Sequence, residues 1–107
     1  MITAKHRILS YFGCETCECT EQQFEAAVKK TGANVIKTFS HQFQPQGLSI
    51  LSLLSESHAS LHTYPEYDFC YLDIFTCGNM DITAFDKEMQ KLLKPCRVWR
   101  KDINRSI

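Results

Sequence analysis

Apolar side chains recur at two different periods along this chain. Phe24, Ala27 and Val28, with Thr31, share one face of a 3.6-residue repeat. Thr20 followed three residues later by Gln23 forms a capping box in front of them, and Gly32 offers a left-handed stop behind. Ile82, Phe85, Met89, Leu92 and Leu93 repeat at the same period, which predicts a second helix over about 83–93, ended by Pro95. Elsewhere the apolar, aromatic and β-branched residues cluster in short runs, which predict strands at 7–12, 35–39, 48–54, 59–63 and 69–76 and a short one at 98–99. The stretches 44–47 and 64–66 carry Pro and Gly and read as turns or strand breaks. Strands joined by short connections must pair antiparallel, because parallel neighbours need a long crossover. The expected fold class is α+β, a two-layer sandwich with an antiparallel sheet and two helices on one face. The other face then needs a cover, and a second copy of the chain is the expected one, giving a homodimer.

The 107 residues fit a single domain, 1–107. Twelve basic and twelve acidic residues cancel, so no net charge draws the chain to nucleic acid or to a membrane surface. The longest apolar run, residues 69–72, is far too short to cross a bilayer or to form a signal-peptide core. The expectation is a soluble cytoplasmic protein. Lys91, Lys94, Arg97, Arg100, Lys101 and Arg105 read as a solvated face, some of them favouring a helix C-terminus.

Six cysteines are many for such a chain. In a reducing compartment they serve packing, metal or catalysis rather than disulfides. Cys14, Cys17 and Cys19 lie within six residues, and Cys70 or Cys96 offers a fourth thiol for a metal. Zinc ribbons use two paired-cysteine knuckles and this chain has one, so a loop with incidental cysteines is preferred and no metal ligand is assigned.

Polar chemistry is densest at Ser55-Glu56-Ser57-His58, at the segment from His62 to Tyr67, and at Asp73 to Gly78. A Ser/His/acid hydrolase is the first reading of such residues. No Gly-x-Ser-x-Gly elbow supports it, and a sheet edge with a polar turn accounts for each residue singly.

The whole run SESHASLHTYPEYDFCYLDIFTCG, residues 55–78, closely resembles prokaryotic-type S-adenosylmethionine decarboxylase proenzymes. The segment HQFQPQGLS, residues 41–49, is similar to that family's His-x-Phe-x-Pro-x-Gly-x-Ser stretch, and residues 5–14 resemble its first strand more weakly. The resemblance implies a self-cleaving enzyme that makes its own cofactor, a covalent pyruvoyl group (pyruvate) derived from Ser57. Cleavage between Glu56 and Ser57 would give a β chain, 1–56, and an α chain, 57–107. Family match makes Ser49 an aid to the acyl shift, His62 an aid to the elimination and Cys77 the proton donor after a Schiff base has lost carbon dioxide. It makes Phe43 and Tyr64 aromatic platforms for the substrate S-adenosylmethionine, and Glu66 the acceptor of its ribose hydroxyls. Active sites shared across the dimer, and a place in spermidine biosynthesis, follow from the same likeness.

Three positions depart from the family pattern. Tyr64 replaces a common tryptophan, Gln42 a common arginine and Asp68 a usual glycine. An extra acid near the site suits a diamine-like substrate, so a pyruvoyl-dependent arginine or ornithine decarboxylase is the alternative. An inactive paralogue that serves only as a partner subunit is the other, and retention of Ser57, His62 and Cys77 together argues against it.

Overall fold

The capping box at Thr20 forms as its sequence predicts. Gln23 N–H donates to the Thr20 hydroxyl and Thr20 N–H to the Gln23 side chain, each at 3.0 Å. The computed structural model describes residues 2–107. Its elements are β1 (Ala4–Phe12), α1 (Glu21–Lys29), β2 (Val35–Gln42), β3 (Leu48–Leu54), β4 (Ser57–Tyr64), β5 (Phe69–Cys77), α2 (Ile82–Leu93) and β6 (Arg97–Asn104). A single 3₁₀ turn, Pro65–Tyr67, joins β4 to β5. Among the described residues the strands make one six-stranded sheet in the order β2-β3-β4-β5-β1-β6. Every neighbouring pair is antiparallel.

Strand alternation decides what each face carries. Leu9, Tyr11, Ile50, Leu54, Ala59, Leu61, Cys70, Leu72 and Ile74 are buried and form one core with Phe24, Ala27 and Val28 of α1 and Phe85, Met89 and Leu93 of α2. Phe24 and Phe85 lock the two helices together edge to face, 5.7 Å between ring centroids. Both helices therefore lie on one face, as the pattern predicts. The opposite face is open and carries Phe39, Leu51, Leu53, Tyr71 and Trp99, each about half exposed.

The last strand differs most from expectation. Two residues, 98–99, carry a strand pattern, yet β6 runs for eight and pairs with β1 from Phe12↔Arg97 to Lys5↔Asn104. Its basic residues obscure it, and they are not simply a solvated face. Arg100 turns under the sheet to the buried Asp86 of α2, donating from Nε at 2.7 Å. Asp86 also accepts from the Tyr11 hydroxyl at 2.5 Å and from Gln90 at 2.9 Å, and Arg7 stands 3.6 Å away. Arg7 in turn forms a two-pronged pair with Asp102, at 2.7 and 2.9 Å. Burial, followed by the bond to Asp86, pushes the Tyr11 phenol well above its usual pKa. This network ties α2 to β1 and β6 and satisfies every polar atom it buries.

Candidate active site

The β3–β4 hairpin closes over Ser55 and Glu56, with Leu54 paired to Ser57. Glu56 is forced into left-handed backbone, φ 62°. A residue with a Cβ is strained there by about 1 kcal/mol. Ser57 opens β4 on the helix-covered side and is 5% exposed. Its hydroxyl accepts the backbone N–H of Cys77 at 3.1 Å. Cys77 closes β5, with the alternation that belongs to the open face. Glu56, Ser57 and Cys77 thus gather at one end of the sheet, and the contact between serine and cysteine runs through the cysteine backbone rather than its thiol.

The other candidates gather elsewhere. Ser49 of β3 pairs with His62 of β4, and their side chains meet as Oγ to Nδ1 at 2.7 Å. Phe43, Ser49, His62, Tyr64 and Glu66 line one pocket of about 440 Å³ with Gln46, Gly47 and Thr63. The His41 ring braces Phe43 edge-on at 4.6 Å, and Tyr71 braces Tyr64 at 5.7 Å. Gly47 sits at φ 105°, a backbone shape open to glycine, and lets its carbonyl take the Phe43 N–H at 2.8 Å. A larger depression of about 500 Å³ adjoins across Gln46 and Gly47, along residues 16–20, but holds none of the eight candidates.

His62 lies five residues along β4 from Ser57, which is about 17 Å at the rise of an extended strand. No side chain spans that gap. Within one chain the eight residues therefore form two half-sites, Glu56–Ser57–Cys77 and Phe43–Ser49–His62–Tyr64–Glu66, at opposite ends of the sheet.

The profile of the S-adenosylmethionine decarboxylase family matches residues 5–106. The chain belongs to that family. It is similar to the S-adenosylmethionine decarboxylase proenzyme of Methanococcus maripaludis, 42% identical over 96% of this chain and 89% of that one. It is also similar to the proenzyme of a Synechococcus species, 38% identical over 85% of this chain and 73% of that one. The crystal structure of the adenosylmethionine decarboxylase from Aquifex aeolicus superposes with a TM-score of 0.82 at 28% identity, covering 98% of this chain and 92% of the other. A decarboxylase proenzyme scaffold is thus the frame in which the half-sites stand.

Two family departures have a physical account. Asp68 occupies left-handed backbone, φ 51°, which glycine adopts without penalty and aspartate tolerates. It is exposed beside the 3₁₀ turn and does not line the pocket, so the extra acid gives an arginine- or ornithine-like substrate no support. Gln42 bonds the Gly47 carbonyl at 2.8 Å and serves the turn under Phe43.

One thiol cluster narrows the sequence reading, and one imidazole–carboxylate cluster escapes it. Cys14 and Cys17 meet Cys70, not Cys19 or Cys96, with sulfurs 4.0 and 3.9 Å apart. Hydrogen bonding to Cys14 and then burial raise the Cys70 thiol, and burial alone pushes Cys19 up to about 11. His6, His58 and Asp73 converge on the open face from β1, β4 and β5. Nothing in their spacing along the chain announces this, because only the strand register joins them.

Proposed function

We propose that the chain is a cytoplasmic, self-processing, pyruvoyl-dependent decarboxylase of S-adenosylmethionine, working as a homodimer of cleaved protomers in spermidine biosynthesis. One observation carries this reading: family-matched residues fall into two half-sites, one at each end of the sheet. A second copy packed face to face about a two-fold axis sets each half-site against the complementary half-site of the other copy. The open face suits that cover, because Phe39, Leu51, Leu53, Tyr71 and Trp99 each leave about half of their apolar surface in water there.

The residues of the chain divide the work. In processing, the Ser57 hydroxyl attacks the Glu56 carbonyl carbon, an ester replaces the peptide bond, and the Ser57 nitrogen becomes a free amine. Loss of the Ser57 α-proton to a base then expels the Glu56 carboxylate. The dehydroalanine left behind takes up water and releases ammonia, which leaves pyruvoyl at the head of 57–107. The Cys77 N–H holds the Ser57 oxygen in place, and the strained Glu56 backbone favours the cut. His62, oriented by Ser49, is the base, and both come from the second copy. The pyruvoyl carbonyl supplies the electron sink for loss of carbon dioxide. Cys77 returns a proton to the substrate carbon. Phe43 and Tyr64 take the adenine ring and favour the sulfonium charge, while the Glu66 carboxylate accepts the ribose hydroxyls.

Denaturing intact-mass spectrometry, followed by a panel of adenosylmethionine, arginine and ornithine, tests this. The expected result is two fragments split between Glu56 and Ser57, the second blocked to Edman chemistry, with carbon dioxide released from adenosylmethionine alone. Ser57→Ala should stay whole and inactive. Wild-type turnover by an uncleaved chain would remove the mechanism, and release from arginine or ornithine instead would reassign the substrate.

A further inference from the structure

The open face carries a polar cluster that the proposed reaction does not use. His6 of β1 and His58 of β4 both stand opposite Phe75 of β5, one on each side. Asp73 lies two residues before Phe75, so it projects from the same face. The register brings His6 Nε2 to 2.7 Å and His58 Nε2 to 3.9 Å from the same oxygen, Asp73 Oδ2. One ligand atom from each of the three residues lies within 4.8 Å of the others. Three atoms so spaced share a point about 2.0–2.4 Å from each, close to the ~2.0–2.2 Å of zinc bonds to imidazole and carboxylate.

We infer that His6, His58 and Asp73 form a binding site for a first-row divalent transition-metal ion, with zinc the natural occupant. The donor set, two imidazoles and one carboxylate, suits zinc, cobalt and nickel better than magnesium or calcium, which prefer oxygen. The cluster is also braced as a ligand set needs to be. The Ser60 hydroxyl donates to Asp73 Oδ1, which leaves Oδ2 turned towards the histidines. Phe75 packs against both imidazoles, at 5.7 Å from His6 and 5.6 Å from His58, and limits their swing. All three ligands sit on adjacent strands of the rigid sheet, and His58 is about half exposed in a single chain, so the ion can enter before a second copy covers the face. Binding replaces the hydrogen bond from His6 to Asp73, with the His6 proton moving to Nδ1. The site must tolerate Arg105, whose guanidinium stacks on Phe75 at 4.8 Å.

His6 belongs to 1–56, and His58 and Asp73 to 57–107, so a bound ion would clamp together the two pieces that processing creates. That consequence rests on the proposed cleavage; the site itself does not.

Equilibrium dialysis of the metal-stripped full chain against zinc, with cobalt absorption as a second readout, tests the inference without reference to activity. The thiols are the competing ligands, so Cys17→Ser is the control. The expected result is one ion per chain in the wild type and in Cys17→Ser, with cobalt bands of a nitrogen/oxygen site. His6→Ala and His58→Gln should lose the ion, and Ser60→Ala should weaken binding by roughly tenfold. If His6→Ala fails to fold, the half-exposed His58→Gln decides alone. Absence of stoichiometric binding, binding that survives His58→Gln, or binding that vanishes in Cys17→Ser would each overturn the site.

Discussion

Two variants that are each inactive should regain activity when mixed. The first is Ser57→Ala, which lacks the processing serine but keeps its pocket. The second is Phe43→Ala with Glu66→Ala, which processes itself but cannot hold substrate. The structure sets the outcome through one distance: Ser57 and His62 are separated by about 17 Å along β4, beyond the reach of any pair of side chains. In a two-fold dimer each site then combines Ser57 of one copy with the pocket of the other. A mixed dimer holds one site with both parts defective and one site with both parts intact. Random pairing of equal amounts makes half of the dimers mixed, so activity should recover to about a quarter of wild type. The assay is release of labelled carbon dioxide from adenosylmethionine after co-expression with two tags and purification through both in turn. That purification isolates the mixed dimer and should raise the figure to about half, one site in two. Activity that stays at the level of the single variants would refute the shared site, and with it the inference that the 17 Å gap is bridged by a second copy.

Other consequences are simpler to read. Cys77→Ala should still cleave, because only its backbone N–H touches Ser57, but should turn over about a hundredfold more slowly; unchanged kcat with clean product would assign the proton to another group. Asp86→Ala should cost about 3 kcal/mol in urea unfolding, since it leaves Tyr11, Arg100 and Gln90 without the buried carboxylate they share; a midpoint within error of wild type would make the network incidental. The hydrogen bond and charge of Arg7 hold the Asp102 carboxyl below its usual value of 3.8. Asp102 therefore contributes stability above about pH 4 that is lost as pH falls through its lower folded value. Asp102→Asn should flatten this acid limb in denaturation midpoints taken from pH 5 downward, and parallel limbs would refute the assignment. The effect should be small, because the Asp102 side chain is 49% exposed.

Much of this protein was legible from the order of its residues. The capping box at Thr20, the apolar faces of α1 and α2 and the central strands are local patterns, each written within about ten neighbouring positions. The run from Ser55 to Gly78 was equally local, and it was enough to suggest the family and the candidate residues. What the chain order could not settle was which of those residues meet. Ser57, His62 and Cys77 read as one cluster along the sequence, yet an extended strand holds Ser57 and His62 far apart. β6 was nearly invisible, because its alternation is carried by Arg100 and Asp102, whose charges are neutralised only by Asp86 and Arg7 across the fold. Cys14 and Cys17 reach Cys70, and His6 reaches His58 and Asp73, through pairings between residues 15 to 67 positions apart. Local propensity fixes the period of each element, but register between strands is fixed by packing over the whole sheet. Only the tertiary structure could therefore decide where the half-sites lie and which imidazoles share a carboxylate.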